Sequence, residues 1–332
     1  MNRRDFLRFG SASALLALFG TELSATGNKK VFFGQTGLVF DPLYYEHWLS
    51  PGHPESPARL KAIIDKLEHA TFMSDLFQIK IRHDVLPYLI QIHTNQHIAS
   101  IKANYGHSHD VAFAVVEGVL AATAAVCSGN IKNAFCATRP PGHHATNTGQ
   151  VEGFCFYNSI AVAARYAQAT YNINKVLIID WDYHHGNGTE AAFYDDPTVM
   201  FFSTHDLYAY PGTGDPEKKG DGDGEGFNIN VHLDCGATDD DIIEAFNKFL
   251  IPRAEKFRPE LILISAGFDS RKDDLLGCYN ITDNGFIKLT DIVMELADKY
   301  CNGKIISVLE GGYNVQGTAS AVKHHVKRLM TT

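Results

Sequence analysis

The stretch Asp180-Trp181-Asp182-Tyr183-His184-His185-Gly186-Asn187-Gly188 follows directly on the apolar run Val176-Leu177-Ile178-Ile179. That run, with Lys175 before it, has the β-branched content and the length of a strand buried on both faces. Side chains alternate along an extended backbone, so Asp180, Asp182 and His184 fall on one side, and Gly-Asn-Gly then releases the chain into a turn. An aspartate and a histidine two apart suit a divalent, zinc-like ion, which needs at least one further protein ligand and an open position for water.

Three other apolar runs end in the same way. Ala134-Phe135-Cys136-Ala137 leads into Thr138-Arg139-Pro140-Pro141-Gly142-His143-His144, and Leu261 to Ile264 leads into Ser265-Ala266-Gly267-Phe268-Asp269. Ile305 to Leu309 leads into Glu310-Gly311-Gly312-Tyr313. In a parallel sheet the C-terminal strand ends share one edge, where ligands bind, so these groups should converge. Asp182, His184 and Asp269 would then hold zinc, and an ion so held lowers the pKa of a water towards about 7 and polarises a carbonyl. A hydrolase follows. Cleaving an amide needs a base for the water and an acid for the leaving amine, roles that the adjacent His143 and His144 can fill. Asp180 is placed to hold one imidazole and Asn187 to orient the other, while Tyr313, on a Gly-Gly turn, can reach the oxyanion.

The elements that must position these groups alternate. Strands are expected at 31–33, 134–137, 175–179, 199–202, 227–231, 261–264 and 305–309, and helices at 58–71, 111–127, 159–170, 239–257 and 286–299. Residues 34–50 read as a loop rich in Tyr, His and Trp. This βαβα order predicts one α/β domain with a largely parallel sheet. The segment Gly220-Asp221-Gly222-Asp223-Gly224-Glu225-Gly226 has the wrong spacing for a helix-flanked calcium loop and reads as a flexible hairpin or loop.

Composition narrows the partners. The 332 residues are 45% hydrophobic and 20% charged, with a net charge of −9 and a pI of about 5.9. An acidic surface without a basic cluster repels phosphate backbones, so no nucleic acid is expected; a cationic small molecule or basic peptide fits better. Arg3-Arg4-Asp5-Phe6-Leu7 precedes a weakly apolar run from Phe9 to Gly20, too short to cross a bilayer as a mature helix. It resembles a twin-arginine export signal, which assigns residues 1–27 to the signal and 28–332 to a catalytic domain. The expected location is periplasmic, otherwise cytoplasmic, without stable membrane insertion. The six cysteines show no C-x-x-C pair and read as buried thiols.

With these motifs in hand, the chain resembles the zinc-dependent histone deacetylase superfamily, closest to its class II, bacterial histone-deacetylase-like and acetylpolyamine-amidohydrolase branches. The resemblance rests on His53-Pro54-Glu55-Ser56-Pro57, Arg139 to His144, Gly153-Phe154-Cys155-Phe156-Tyr157-Asn158, Asp180 to Thr189, Tyr210-Pro211-Gly212-Thr213-Gly214, Ser265 to Asp269 and Glu310 to Asn314, in family order. It implies a single-domain arginase/deacetylase fold around an eight-stranded, mainly parallel sheet flanked by helices. By position it makes Asp182, His184 and Asp269 the zinc ligands, His143 and His144 the tandem histidines and Tyr313 the transition-state tyrosine. Gly153, Phe154 and Tyr210 match the acyl-lysine channel and Leu276 its mouth, where a polyamine-selective relative carries an acidic gate. Structural potassium is implied at Asp180, Asp182, His184 and Ser203, and a second monovalent site at Phe193, Asp196, Val199 and Phe227. Arg59 matches a buried arginine below the channel. Asn187 stands where some relatives carry an aspartate, so His144 should be the less basic histidine and the better acceptor of the water's proton.

The function this implies is removal of acyl, chiefly acetyl, groups from lysine side chains or small acylated amines, with sensitivity to hydroxamate-type inhibitors. The alternatives are an acetylpolyamine amidohydrolase, an acyl-lysine binding module without activity, and a di-manganese hydrolase on the same fold, which would want more carboxylates at the sheet edge.

Overall fold

The computed structural model describes residues 35–81 and 84–331. The expected strand at 31–33 and the export segment at 1–27 lie outside the described residues. Eight strands are described: β1 (Thr36–Val39), β2 (Phe77–Gln78), β3 (Asn133–Cys136), β4 (Val176–Asp180), β5 (Val199–His205), β6 (Asn228–His232), β7 (Leu261–Ala266) and β8 (Ile305–Leu309). They form one sheet in the order β2-β1-β3-β8-β7-β4-β5-β6, and every pairing is parallel. The central strands are buried along their whole length, as their unbroken apolar runs require. The four strands that end in candidate site residues, β3, β8, β7 and β4, are consecutive neighbours in this order. Their C-terminal ends therefore form one continuous stretch of edge.

The helices are α1 (Pro57–Glu68), α2 (Leu86–Leu89), α3 (Asn95–Tyr105), α4 (His107–Cys127), α5 (Ser159–Tyr171), α6 (Asn187–Phe193), α7 (Asp239–Ala245), α8 (Ile251–Phe257), α9 (Asp283–Cys301) and α10 (Val315–Leu329). By length and composition α4 is apolar enough to cross a membrane. Here its Val side chains, with Ala112, Ala121 and Ala122, are buried in the core, and the helix packs against α5, β1 and β3. The helix expected at 239–257 is continuous but opens into a π turn at Phe246–Leu250 between α7 and α8. Pro252, which has no N–H to return to the preceding turn, stands just beyond it.

Three expectations are corrected. The loop at 34–50 contains β1, a four-residue strand whose Gly37 hides the pattern; a side chain at Gly37 would collide with Ile79 and Ile131. Helices α3, α6 and α10 interleave His, Asn, Lys or Gly with their apolar residues, and the periodicity did not reveal them. Cys235 and Cys278 are not free thiols but a disulfide, because the turn after β6 meets the β7–α9 connection with Cα atoms 5.2 Å apart. Cys127, Cys136, Cys155 and Cys301 are free, and the last three are buried.

Candidate active site

Strand β3 ends in a turn at Gly142, where a side chain would press within 2.6 Å of the Tyr157 carbonyl, so only glycine passes. The turn is fastened to the neighbouring strand end by Glu310, whose Oε2 accepts the N–H of Gly142 at 2.6 Å and of His143 at 3.2 Å. His143 and His144 follow with ring centroids 4.0 Å apart. His143 Nδ1 donates to Asp180 Oδ2 at 3.0 Å, and His144 Nδ1 to the Asn187 side-chain oxygen at 2.8 Å. Both orienting residues thus meet the expected partners. Burial works against either imidazolium, but the carboxylates of Asp182 and Asp180 outweigh it at His143 and raise its pKa well above the ordinary value. At His144 burial and the charge of His143 act together, and its pKa falls well below.

Asp182, His184 and Asp269 also converge, with ligand atoms all within 4.8 Å of one another. His184 Nδ1 lies 3.1 Å from both Asp182 Oδ1 and Asp269 Oδ2. The remaining carboxylate oxygens are fixed by backbone: Tyr183 N donates to Asp269 Oδ1 at 2.9 Å and Gly311 N to Asp182 Oδ2 at 2.8 Å. Gly267 and Gly311 are required here, since a side chain on either would occupy the space of these carboxylates. The two acids are fully buried. Burial and the charge of Asp182 push Asp269 up to about 7. At His184 burial is outweighed by hydrogen bonds to both acids, which push it up to about 10. One Nδ1 cannot neutralise two buried carboxylates, so the trio fits a divalent cation, and two acids with one imidazole are a zinc-type donor set.

A second group, His143, Cys155 and Glu310, is equally close. Glu310 is committed to backbone N–H groups there, and burial with the Glu310 charge holds the Cys155 thiol well above its usual pKa. It stays a thiol.

Above the metal trio opens a cavity of about 540 Å³ lined by His144, Gly153, Phe154, Tyr183, His184, Ala209, Tyr210, Leu276 and Tyr313. Phe154 stands edge-on to Tyr313 with centroids 6.0 Å apart, and Tyr210 edge-on to His144 at 5.0 Å. Every expected channel residue lines this cavity. Tyr313 lies over the guanidinium of Arg59 at 4.8 Å, and Arg59 is buried, its Nη2 donating to the Glu310 carbonyl at 2.6 Å. Asp180 and Ser203 face each other across the β4–β5 register. Phe193, Asp196 and Val199 are joined by backbone hydrogen bonds, and the Phe227 carbonyl accepts from Phe201 on β5.

Glu310, Asp274 and the pair Glu55–Arg139 make contacts that the motifs do not announce. Arg139 grips Glu55 at 2.8 and 2.6 Å and the carbonyls of Tyr44 and His47 at 2.8 Å each, binding the segment before α1 to the end of β3. The available signal was a charged residue at the end of an apolar strand, as with Glu310 after Ile305–Leu309.

Fold and site together define an α/β domain with a two-carboxylate, one-imidazole cluster that could hold a metal ion at the C-terminal edge of a parallel sheet. The histone deacetylase domain is matched over residues 53–329. Histone deacetylase 15 of Arabidopsis thaliana is 35% identical over 331 residues, covering 94% of this chain and 58% of the plant protein. A probable deacetylase of Archaeoglobus fulgidus is 33% identical over 297 residues, covering 85% and 82%. The crystal structure of the HDA15 HD domain superposes with a TM-score of 0.83 at 34% identity, over 89% of this chain and 88% of that one. The chain belongs to the histone deacetylase family, and it spans little more than half of the plant relative's length.

Proposed function

We propose that the protein hydrolyses N-acyl amides of primary amines, acetyl-lysine in peptides or small acylated amines. The observation that carries this reading is the split between His143 and His144 directly beside the Asp182–His184–Asp269 trio. Those three would hold zinc, which when bound polarises the amide carbonyl and acidifies water. His144, neutral and with its Nδ1–H given to Asn187, keeps an Nε2 lone pair to take a proton from the attacking water. His143, held charged by Asp180, is the donor for the leaving amine. Burial keeps the Tyr313 phenol protonated, so it can donate to the developing oxyanion.

The substrate stem would slide between Phe154 and Tyr210, which offer apolar faces to an alkyl chain. Among the described residues no carboxylate lines the cavity above the metal trio, and Leu276 stands at the mouth, which favours a single buried alkylamine over a polyamine with a second ammonium. The monovalent sites at Asp180, Asp182, His184 and Ser203 and at Phe193, Asp196, Val199 and Phe227 are part of the proposal, with potassium as the ion. So is export to the periplasm by the twin-arginine stretch, tested by changing Arg3 and Arg4 to Lys and fractionating the cells.

The deciding experiment is turnover of an acetyl-lysine peptide beside N-acetylputrescine and N-acetylspermidine, with chelated, zinc-restored and hydroxamate-treated enzyme. Peptide turnover that chelation abolishes and zinc restores is expected. Strong preference for the polyamines would overturn the lysine assignment, and no turnover of any of the three would leave a binding module. Tyr313→Phe should slow the reaction by about 10²–10³-fold with zinc still bound.

A further inference from the structure

We propose that Asp274 is a positioning residue that ties the rim of the channel to the phenol of Tyr313; this rests on the oxyanion role given to Tyr313 above. Asp274 sits in the connection between β7 and α9, which also carries Asp269 and Leu276, and it is not among the residues lining the cavity. Its Oδ2 accepts the backbone N–H of Tyr313 at 2.7 Å and of Asn314 at 2.8 Å. Its Oδ1 accepts the N–H of Leu276 at 3.0 Å. One carboxylate therefore holds the oxyanion donor and the residue at the channel mouth together, through hydrogen bonds strengthened by its charge.

The segment it grips needs external support. Gly311 and Gly312 precede Tyr313, and Gly312 adopts a φ of 119°, a conformation that glycine reaches freely and does not enforce. From below, the turn is held by Gly311 N on Asp182 and by Arg59 on the carbonyls of Gly312 and Glu310. Those contacts fix the residues before the tyrosine. Beyond it, Asn314 Nδ2 donates to the Asp273 carbonyl at 2.8 Å and Asn314 Oδ1 caps α10 through Gly317 N at 2.9 Å. The backbone N–H of Tyr313 itself has Asp274 as its partner. Losing that acceptor frees the peptide from which the phenol projects, and a displacement of about 1 Å at such a group costs about 10²-fold in rate.

The test is kinetic. Asp274→Ala and Asp274→Asn are made in the wild type and in Tyr313→Phe, and kcat, KM and zinc content are measured for each. Asp274→Ala should lower kcat about 10- to 100-fold, with KM changing less than about 3-fold and zinc retained. Asp274→Asn should recover most of kcat, because its amide oxygen can accept from Tyr313 and Asn314 while only the Leu276 contact is lost. In the Tyr313→Phe background Asp274→Ala should change the residual rate by less than about 2-fold, since its effect passes through the missing hydroxyl. Equal losses in both backgrounds, or an unchanged kcat, would overturn the role of Asp274. A Tyr313→Phe enzyme as fast as the wild type would instead overturn the reading of Tyr313, and this one with it. If Asp274→Ala does not fold, Asp274→Leu, of similar shape and without an acceptor for the Tyr313 and Asn314 N–H groups, supplies the same comparison, with the same fall in kcat expected in the wild type and less than about 2-fold in Tyr313→Phe.

Discussion

His144 Nδ1 lies 2.8 Å from the side-chain oxygen of Asn187, whereas the adjacent His143 meets a carboxylate, Asp180, at 3.0 Å. An amide orients an imidazole without charging it. Burial and the charge of His143 therefore keep His144 neutral near pH 7, ready to accept a proton. Asn187→Asp places an opposite charge on the ring and should raise the His144 pKa by about 1–3 units. The acid limb of the kcat/KM profile reports the free enzyme's base, so it should move up by a similar amount and cut activity at neutral pH. A limb that stays where it was would exclude His144 as the base.

The metal trio makes a claim about stability as well as rate. Asp182 and Asp269 are buried and face one another across His184 Nδ1, so an ion bound between them stabilises the folded chain alone. At a hundredfold excess over its Kd such an ion contributes about 2.7 kcal/mol. Chelation should then lower Tm by about 5 °C, followed by calorimetry with metal analysis of the same samples. In Asp182→Ala the chelator should have almost no effect on Tm: at the same metal concentration an affinity lowered about a thousandfold, about 4.1 kcal/mol, leaves about one tenth of the sites filled. A chelator-sensitive Asp182→Ala protein would place the ion elsewhere.

The convergence of the candidate site was legible where polar residues follow a long apolar strand. Asp180, Asp182, Asp269 and Tyr313 were legible because each comes just after a run of aliphatic residues, and parallel strands bring their ends to one edge. It was not legible where side chains hold the site together through backbone contacts. Nothing in the type or spacing of Glu310 or Asp274 says that each accepts two backbone N–H groups from another segment. The Cys235–Cys278 pairing was hidden for the same reason: 43 residues separate the two, and only the meeting of two connections joins them.

Leu276 at the channel mouth sets a modest limit on substrate choice. It is 39% exposed, so a charge placed there acts through a solvated medium. Leu276→Glu should favour N-acetylspermidine over the acetyl-lysine peptide by about 1.4- to 5-fold, because an exposed ion pair contributes about 0.2–1 kcal/mol. The ratio of kcat/KM values for the two substrates measures it. A change far above this range would show that the mouth is desolvated when substrate binds, and no change that the second ammonium does not reach it.

His325 tests the core instead of the site. It is fully buried, with Nδ1 2.7 Å from Thr290 Oγ1 and Nε2 2.9 Å from Ser307 Oγ. Thr290 already donates its hydroxyl to the Phe286 carbonyl, so it accepts from Nδ1–H, and Nε2 accepts from Ser307. The ring is thus bonded as a neutral imidazole, and burial pushes its pKa down to about 3. The unfolded chain titrates near 6.5, so between the two values the unfolded state binds the proton and the folded state does not. The contribution of His325 is therefore complete above about pH 6.5 and lost by about 1.4 kcal/mol per unit as the pH falls towards 3. In His325→Gln the amide can bond the same hydroxyls but cannot titrate. The difference in unfolding free energy between wild type and His325→Gln should shift by that amount per unit between pH 6 and 5, measured by urea denaturation. A pH-independent difference would mean that His325 is already charged in the fold.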